Sequence, residues 1–124
     1  MKDLDPQEVP VFSTTPDFAV RLIPDADKNL SLFVGTKDYH IEIPLSTSNK
    51  SIYLGYFNLS LKGKSHTKSI QNSKQTVTLT FNFGRLKTEL ILTIREDYCD
   101  NIIMVGSLPR ESMIRITKAI QKIA

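Results

Sequence analysis

The chain has 124 residues, of which 40% are hydrophobic and 23% charged, and a net charge of +3. That length holds one domain with a core that needs no cross-links, and the apolar content excludes the disordered class. A single cysteine excludes a disulfide framework and a multi-cysteine zinc site, and no apolar run nears the roughly 20 residues of a membrane-spanning helix.

The charge is unevenly spread. Residues 1–49 carry four Lys/Arg against eight Asp/Glu, whereas residues 50–124 carry twelve against five. A basic half of this kind suits an anionic partner if the fold gathers it onto one face. The acidic start, Met1-Lys2-Asp3-Leu4-Asp5-Pro6, has no apolar stretch of the kind a signal peptide needs, which points to an intracellular protein, cytoplasmic or nuclear.

Residues 1–16 read as a flexible N-terminal tail, polar and interrupted by Pro6, Pro10 and Pro16. Val9, Val11 and Phe12 form a small apolar group within it, suited to docking on the domain that follows. From residue 17 the pattern changes to short alternating runs. Phe18, Val20 and Leu22 share one parity, and the cluster Pro24-Asp25-Ala26-Asp27-Lys28-Asn29 ends that run. Leu30, Leu32 and Val34 follow, then Gly35-Thr36-Lys37-Asp38 as a tight connection, then Tyr39, Ile41 and Ile43. Period-2 runs with turn-rich gaps predict antiparallel strands buried on one face.

In the segment 51–61, Ile52, Leu54 and Tyr56 share one parity and Phe57, Leu59 and Leu61 the other. The switch falls at Gly55, which predicts a strand bent or bulged there. Residues 62–74 read as the longest loop, polar and basic. Then Val77, Leu79, Phe81 and Phe83 alternate with threonines and Asn82; Gly84-Arg85 fits a two-residue hairpin turn. Leu86, Leu90, Leu92 and Ile94 make the next strand, residues 97–101 a loop, and Ile102 to Val105 a short buried strand. The period then becomes helical: Met113, Ile116, Ile120 and Ile123 make one stripe of a helix over 108–123, with Ser107 as N-cap, Pro109 in the first turn and Glu111 near the positive end of the dipole.

The expectation is thus an α+β, mostly β, single domain over 17–124: about seven antiparallel strands in a bent sheet or partly open barrel, capped by one C-terminal helix. The final strand Ile102 to Gly106, followed by Ser107, Pro109, Glu111, Ile116, Ala119 and Ile120, resembles the ending of pleckstrin-homology-like domains. That resemblance implies their bent, partly open barrel. Two positions depart from it. Ile116 stands where pleckstrin-homology domains usually hold tryptophan, and the loop that is basic in their phosphoinositide-binding members is the net acidic Asp25-Ala26-Asp27-Lys28 here.

Chemistry-bearing residues are sparse. His40, His66 and Cys99 have no partner that the spacing places nearby, so neither a catalytic triad nor a metal site is expected, and no enzyme activity or cofactor. The sequon Asn58-Leu59-Ser60 reads as chance. The residues suited to an anion are Lys62, Lys64, His66, Lys68 and Lys74 of the basic loop, extended by the helix cations Arg115, Lys118 and Lys122 together with Arg110. Ser65, Thr67 and Ser69 could donate to a phosphate or carry one. Tyr53, Phe33 and Tyr98 are the rings suited to stacking bases. The leading expectation is a non-enzymatic adaptor or scaffold that holds a protein partner within an intracellular assembly. The alternative is binding of single-stranded nucleic acid or a phospholipid headgroup through 62–74 and the helix cations.

Overall fold

The computed structural model describes residues 7–24, 30–96 and 101–122. Among them lie nine strands and two helices, in the order β1 (Gln7–Val9), β2 (Phe12–Ser13), β3 (Ala19–Pro24), β4 (Leu30–Gly35), β5 (His40–Leu45), α1 (Thr47–Leu61), β6 (His66–Gln71), β7 (Val77–Phe83), β8 (Lys87–Ile94), β9 (Ile102–Pro109) and α2 (Arg110–Gln121). The domain is α+β, mostly β. Its strands form two antiparallel sheets, ordered β1-β3-β4-β5 and β2-β9-β8-β7-β6, and among the described residues no barrel closes.

The alternation read from the sequence is realised along β5, β7 and β8, whereas Ile102 to Val105, expected to be buried, are exposed or half-buried. Along β7, Val77, Leu79, Phe81 and Phe83 are buried while Thr78, Thr80 and Asn82 are not. Along β5 the buried set is Ile41, Ile43 and Leu45. The inner faces of both sheets and the two helices enclose one core, which includes Leu32, Leu79, Phe81, Leu90, Leu92, Met113 and Ile116. The connection after β4 is tight, with Thr36 N–H donating to the Tyr39 carbonyl at 2.8 Å.

Three segments differ from the sequence reading. Residues 51–61 are not a bent strand but most of helix α1. Its buried positions are Tyr53, Phe57 and Ser60, at helical spacing, and the apparent parity switch at Gly55 is the signature of a helix that is apolar nearly all round. Ser46 caps it, its Oγ accepting from the Asn49 N–H at 3.5 Å. Second, the basic segment 62–74 is not a loop throughout, since six of its residues form β6 and pair with β7. Third, residues 7–13, read as part of the tail, contribute one strand to each sheet: β1 pairs with β3 and β2 with β9.

Smaller differences concern the ends of elements. Helix α2 starts at Arg110 and its N-cap is Pro109, not Ser107, which stays in β9. The link between β7 and β8 spans three residues, not two, and leaves Leu86 exposed. The loops at 25–28 and 97–100, with Tyr98 and Cys99, lie outside the described residues.

Side chains lock the layers together. The Ser60 hydroxyl, fully buried, donates to the Gly84 carbonyl at 2.5 Å and ties α1 to the β7–β8 link. Thr88 donates to the Met113 sulfur at 2.8 Å, docking α2 on β8. Ser112 donates to the Pro10 carbonyl at 2.7 Å, so the N-terminal segment is held by α2 where it crosses from one sheet to the other.

Burial pushes the Tyr53 phenol up to about 12. Below pH 10 that group is protonated in both folded and unfolded chains. Between about 10 and 12 only the unfolded chain releases the proton, so stability falls as pH rises through that window. Thermal melts of the wild type and of Tyr53→Phe should agree at pH 8 and diverge at pH 11, the wild type melting lower relative to its own value at pH 8. Parallel behaviour of the two proteins would rule out Tyr53 as the titrating group.

Candidate functional site

The richest surface lies where α1 ends and β6 begins. Seen down the helix, Tyr53, Phe57 and Ser60 face the core, while Ile52, Gly55, Tyr56 and Leu59 follow one another along the adjacent flank at helical spacing. Ile52 is 48% and Leu59 42% exposed, which is unusual for aliphatic residues on one ridge. A Cβ placed on Gly55 would meet nothing within 4 Å, so this ridge has an open notch at its middle. Tyr56 leans from it onto β6, its ring stacked on that of His66 with centroids 4.6 Å apart. Phe83 backs both rings, at 5.6 Å from Tyr56 and 6.0 Å from His66.

Strand β6 is a margin of its sheet, bonded on one side to β7 and to no described strand on the other. Its side chains split cleanly. Thr67, Ser69 and Gln71 lie on the outer face and bond to Asn82, Thr80 and Thr78, at 3.2, 3.0 and 3.4 Å. His66, Lys68 and Ile70 lie on the other face, opposite Phe83, Phe81 and Leu79 of β7. Two of the three hydroxyls read as phosphate donors, Thr67 and Ser69, therefore face away from the cation of their own strand, Lys68.

The cations divide as well. Lys62 caps the end of α1, and Lys64, two residues on, donates its backbone N–H to the Leu59 carbonyl. Arg85 approaches from the β7–β8 link, its Cδ 3.7 Å from where a Gly63 Cβ would stand. Arg110 completes this end of the molecule, its guanidinium donating to the carbonyls of Leu61 at 3.2 Å and Arg85 at 2.9 Å. Lys62, Lys64, Arg85 and Arg110 thus converge from three elements, with His66 and Lys68 beside them along β6. Lys74 does not join them. It sits in the turn at the far end of β6, six residues and about 20 Å of strand away. Arg115, Lys118 and Lys122 are exposed on α2 and run away from this end, Lys122 lying about 18 Å along the axis from Arg110.

Arg85 and the apolar ridge were missed in the sequence. Arg85 was hidden as a turn residue, and the seven-residue spacing of Ile52 and Leu59, a helical period, was masked by the strand reading. Two of the rings read as stacking platforms are occupied otherwise. Tyr53 is buried, and Phe33 is half-buried and stacked on His40 at 4.3 Å. Tyr98 lies outside the described residues.

Elsewhere the surface offers a depression of about 520 Å³ on the outer face of the first sheet, lined by Glu8, Asp17, Arg21, Phe33, Lys37 and Asp38 among others. Its charges are mixed and none of the anion-suited residues reaches it. Tyr39 lies near that end and donates its hydroxyl to Glu96 at 2.9 Å; that bond and the carboxylate's charge raise its pKa. Among the described residues no group of three His, Cys, Asp or Glu is placed to hold a metal, and no helix is long and apolar enough to cross a membrane.

No protein-family model matches the chain, and no curated protein is significantly similar to it. Among solved structures, a protein of unknown function from the DUF155 family of a Prochlorococcus species is similar at 13% identity, with 92% of this chain and 98% of that one covered and a TM-score of 0.32.

Proposed function

We propose that the chain is a non-enzymatic protein-interaction module, an adaptor within a larger intracellular assembly, and that it grips an extended segment of its partner between β6 and the exposed ridge of α1. The observation that carries this reading is the exposed Ile52–Gly55–Leu59 ridge running beside a sheet margin that no described strand covers. A strand added at such a margin gains main-chain hydrogen bonds, and a flanking apolar ridge supplies side-chain contact. The cations Lys62, Lys64 and Lys68 favour a segment with acidic residues and oppose a basic one. The pleckstrin-homology-like resemblance of the closing strand and helix belongs to this proposal as a fold analogy and carries no function by itself.

A second reading is favoured by the convergence of Lys62, Lys64, Arg85 and Arg110: an anionic ligand, single-stranded nucleic acid or a phospholipid headgroup, held at that end. One experiment separates the two. Pulldowns from cells that make the protein are run at low and high salt, with nuclease, using the wild type, Leu59→Glu, and Lys62→Glu with Lys64→Glu. Under the adaptor reading a discrete protein survives salt and nuclease and is lost with Leu59→Glu. Material that is nucleic acid or lipid, released by salt and by the lysine changes but indifferent to Leu59→Glu, establishes the second reading and ends the first.

A further inference from the structure

Leu86, in the link between β7 and β8, is 73% exposed. A single leucine on a surface is ordinary; the setting of this one is not. Its neighbours in the chain, Arg85 and Lys87, are both exposed. The register sets Lys87 opposite Pro109, which leads directly into Arg110. Lys62 and Lys64, also exposed, come in from the end of α1, where Gly63 lies beside the stem of Arg85. Lys62, Lys64, Arg85, Lys87 and Arg110 therefore gather about one leucine. Acids are sparse there. From residue 43 to residue 88 the chain carries none. Those on the adjoining elements are Glu111, next to Arg110, and Glu89, which accepts from Asn82 at 3.4 Å.

The link that carries Leu86 is held in shape. Ser60 donates to the Gly84 carbonyl and Arg110 to the Arg85 carbonyl. A Cβ on Gly84 would stand 2.8 Å from the carbonyl oxygen of Lys87, so the link turns more tightly than a residue with a side chain allows. The leucine is thus presented outward by a braced turn, with cations on either side of it.

We propose that this end of the molecule seats on an anionic lipid bilayer, with the Leu86 tip in the boundary between headgroups and acyl chains and the five cations over the headgroups. The inference rests on the second reading above, an anionic ligand at this end, and names its source. The chemistry of the patch selects that source. Single-stranded nucleic acid needs exposed rings among the cations on which to stack its bases. Here the apolar group among them is aliphatic, and the nearby rings of Tyr56 and His66 are stacked on each other. An acidic protein surface would answer the charges, but protein interfaces are depleted in lysine, and three of these five cations are lysines. A bilayer answers both features. Its anionic headgroups strengthen partitioning about fivefold for each Lys or Arg near the surface. The long stems of those residues lie along the apolar boundary, and an aliphatic tip enters it.

The test is co-sedimentation of the intact chain with vesicles of phosphatidylcholine, either alone or with about a third phosphatidylserine, over a range of salt. The chain should bind the anionic vesicles and not the neutral ones, and binding should fall steeply as salt rises. Leu86→Ser should weaken it about tenfold, and Lys62→Gln with Lys64→Gln about thirtyfold. These sites are exposed, so the variants should keep the wild-type melting temperature. Because the chain has no tryptophan, Leu86→Trp places a single fluorophore at the tip. Its emission should move to the blue on the anionic vesicles and stay unchanged on the neutral ones. Oligothymidylate is the comparison ligand. If it binds and the vesicles do not, the proposal falls and the second reading stands; if neither binds, both fall. Vesicle binding that ignores Leu86→Ser, or that leaves the Leu86→Trp emission unmoved, would overturn the seating of the tip and with it the proposal.

Discussion

Phe57→Ala is expected to cost about 4 kcal/mol of folding stability. The ring is fully buried and meets Phe83 edge-on, with centroids 5.2 Å apart and planes 89° apart. It is the largest side chain that α1 places wholly in the core. Its loss leaves a cavity between the helix and β7 that neither can collapse into, because Ser60 pins the end of α1 to Gly84. A domain of this size has about 5–15 kcal/mol to lose. A urea titration should show the midpoint of unfolding drop by about a quarter or more with its slope unchanged. A drop under about 1 kcal/mol would mean that α1 does not pack as described here. The effect of Leu59→Ala, two residues on and exposed, should be near zero in the same titration, which separates burial from helix propensity.

Gly35→Ala should be nearly as severe, at about 3 kcal/mol. Gly35 has a φ of +137°, in a region that a residue with a Cβ resists. It ends β4 opposite His40, where the added Cβ would fall on the carbonyl oxygen of Tyr39 and 2.6 Å from the His40 Cα. Both contacts are with backbone, so no side chain can swing aside. The turn Thr36–Tyr39 would have to open, with loss of the bonds that Thr36 makes to Tyr39 through its backbone N–H and its hydroxyl. Thermal melting of the variant is the check. A melting temperature within a degree or two of the wild type would show that the β4–β5 hairpin is looser than its geometry implies.

The strands buried on one face were legible because their side chains obey a period that nothing interrupts. β5, β7 and β8 each alternate over six or more residues, and parity alone places Ile43, Phe81 and Leu92 inside. Helix α2 was legible for the same reason at the other period, its stripe of Met113, Ile116 and Ile120 standing against Glu111, Arg115 and Lys118. Helix α1 was not. One of its three core positions is the polar Ser60, while Ile52 and Leu59 face solvent, so hydrophobicity follows neither the core nor a single face. A helix in such a place reads as a strand with a slip. The candidate site was concealed by the same inversion, since its defining feature is apolar residues where a stable monomer does not need them. For the basic residues, nearness in sequence suggests nearness in space. The register of β6 shows otherwise, carrying Lys74 to the far end, while Arg85 and Arg110 come in from segments that sequence spacing does not connect.

The path of the N-terminal segment constrains the order in which the molecule can assemble. Strand β2 closes the second sheet by pairing Phe12 with Ser107, and Ser112 holds Pro10 where the segment crosses between sheets. The first of these partners leaves the ribosome long before the second. Loop closure on that scale is entropically slow, and topologies that depend on it fold slowly. The first sheet, built from neighbouring hairpins, can form while the chain is still being made; the second waits. During that wait Ile102 to Val105 lie beside an unfilled position, and a nascent chain meeting another at that moment would find the same edge free on both.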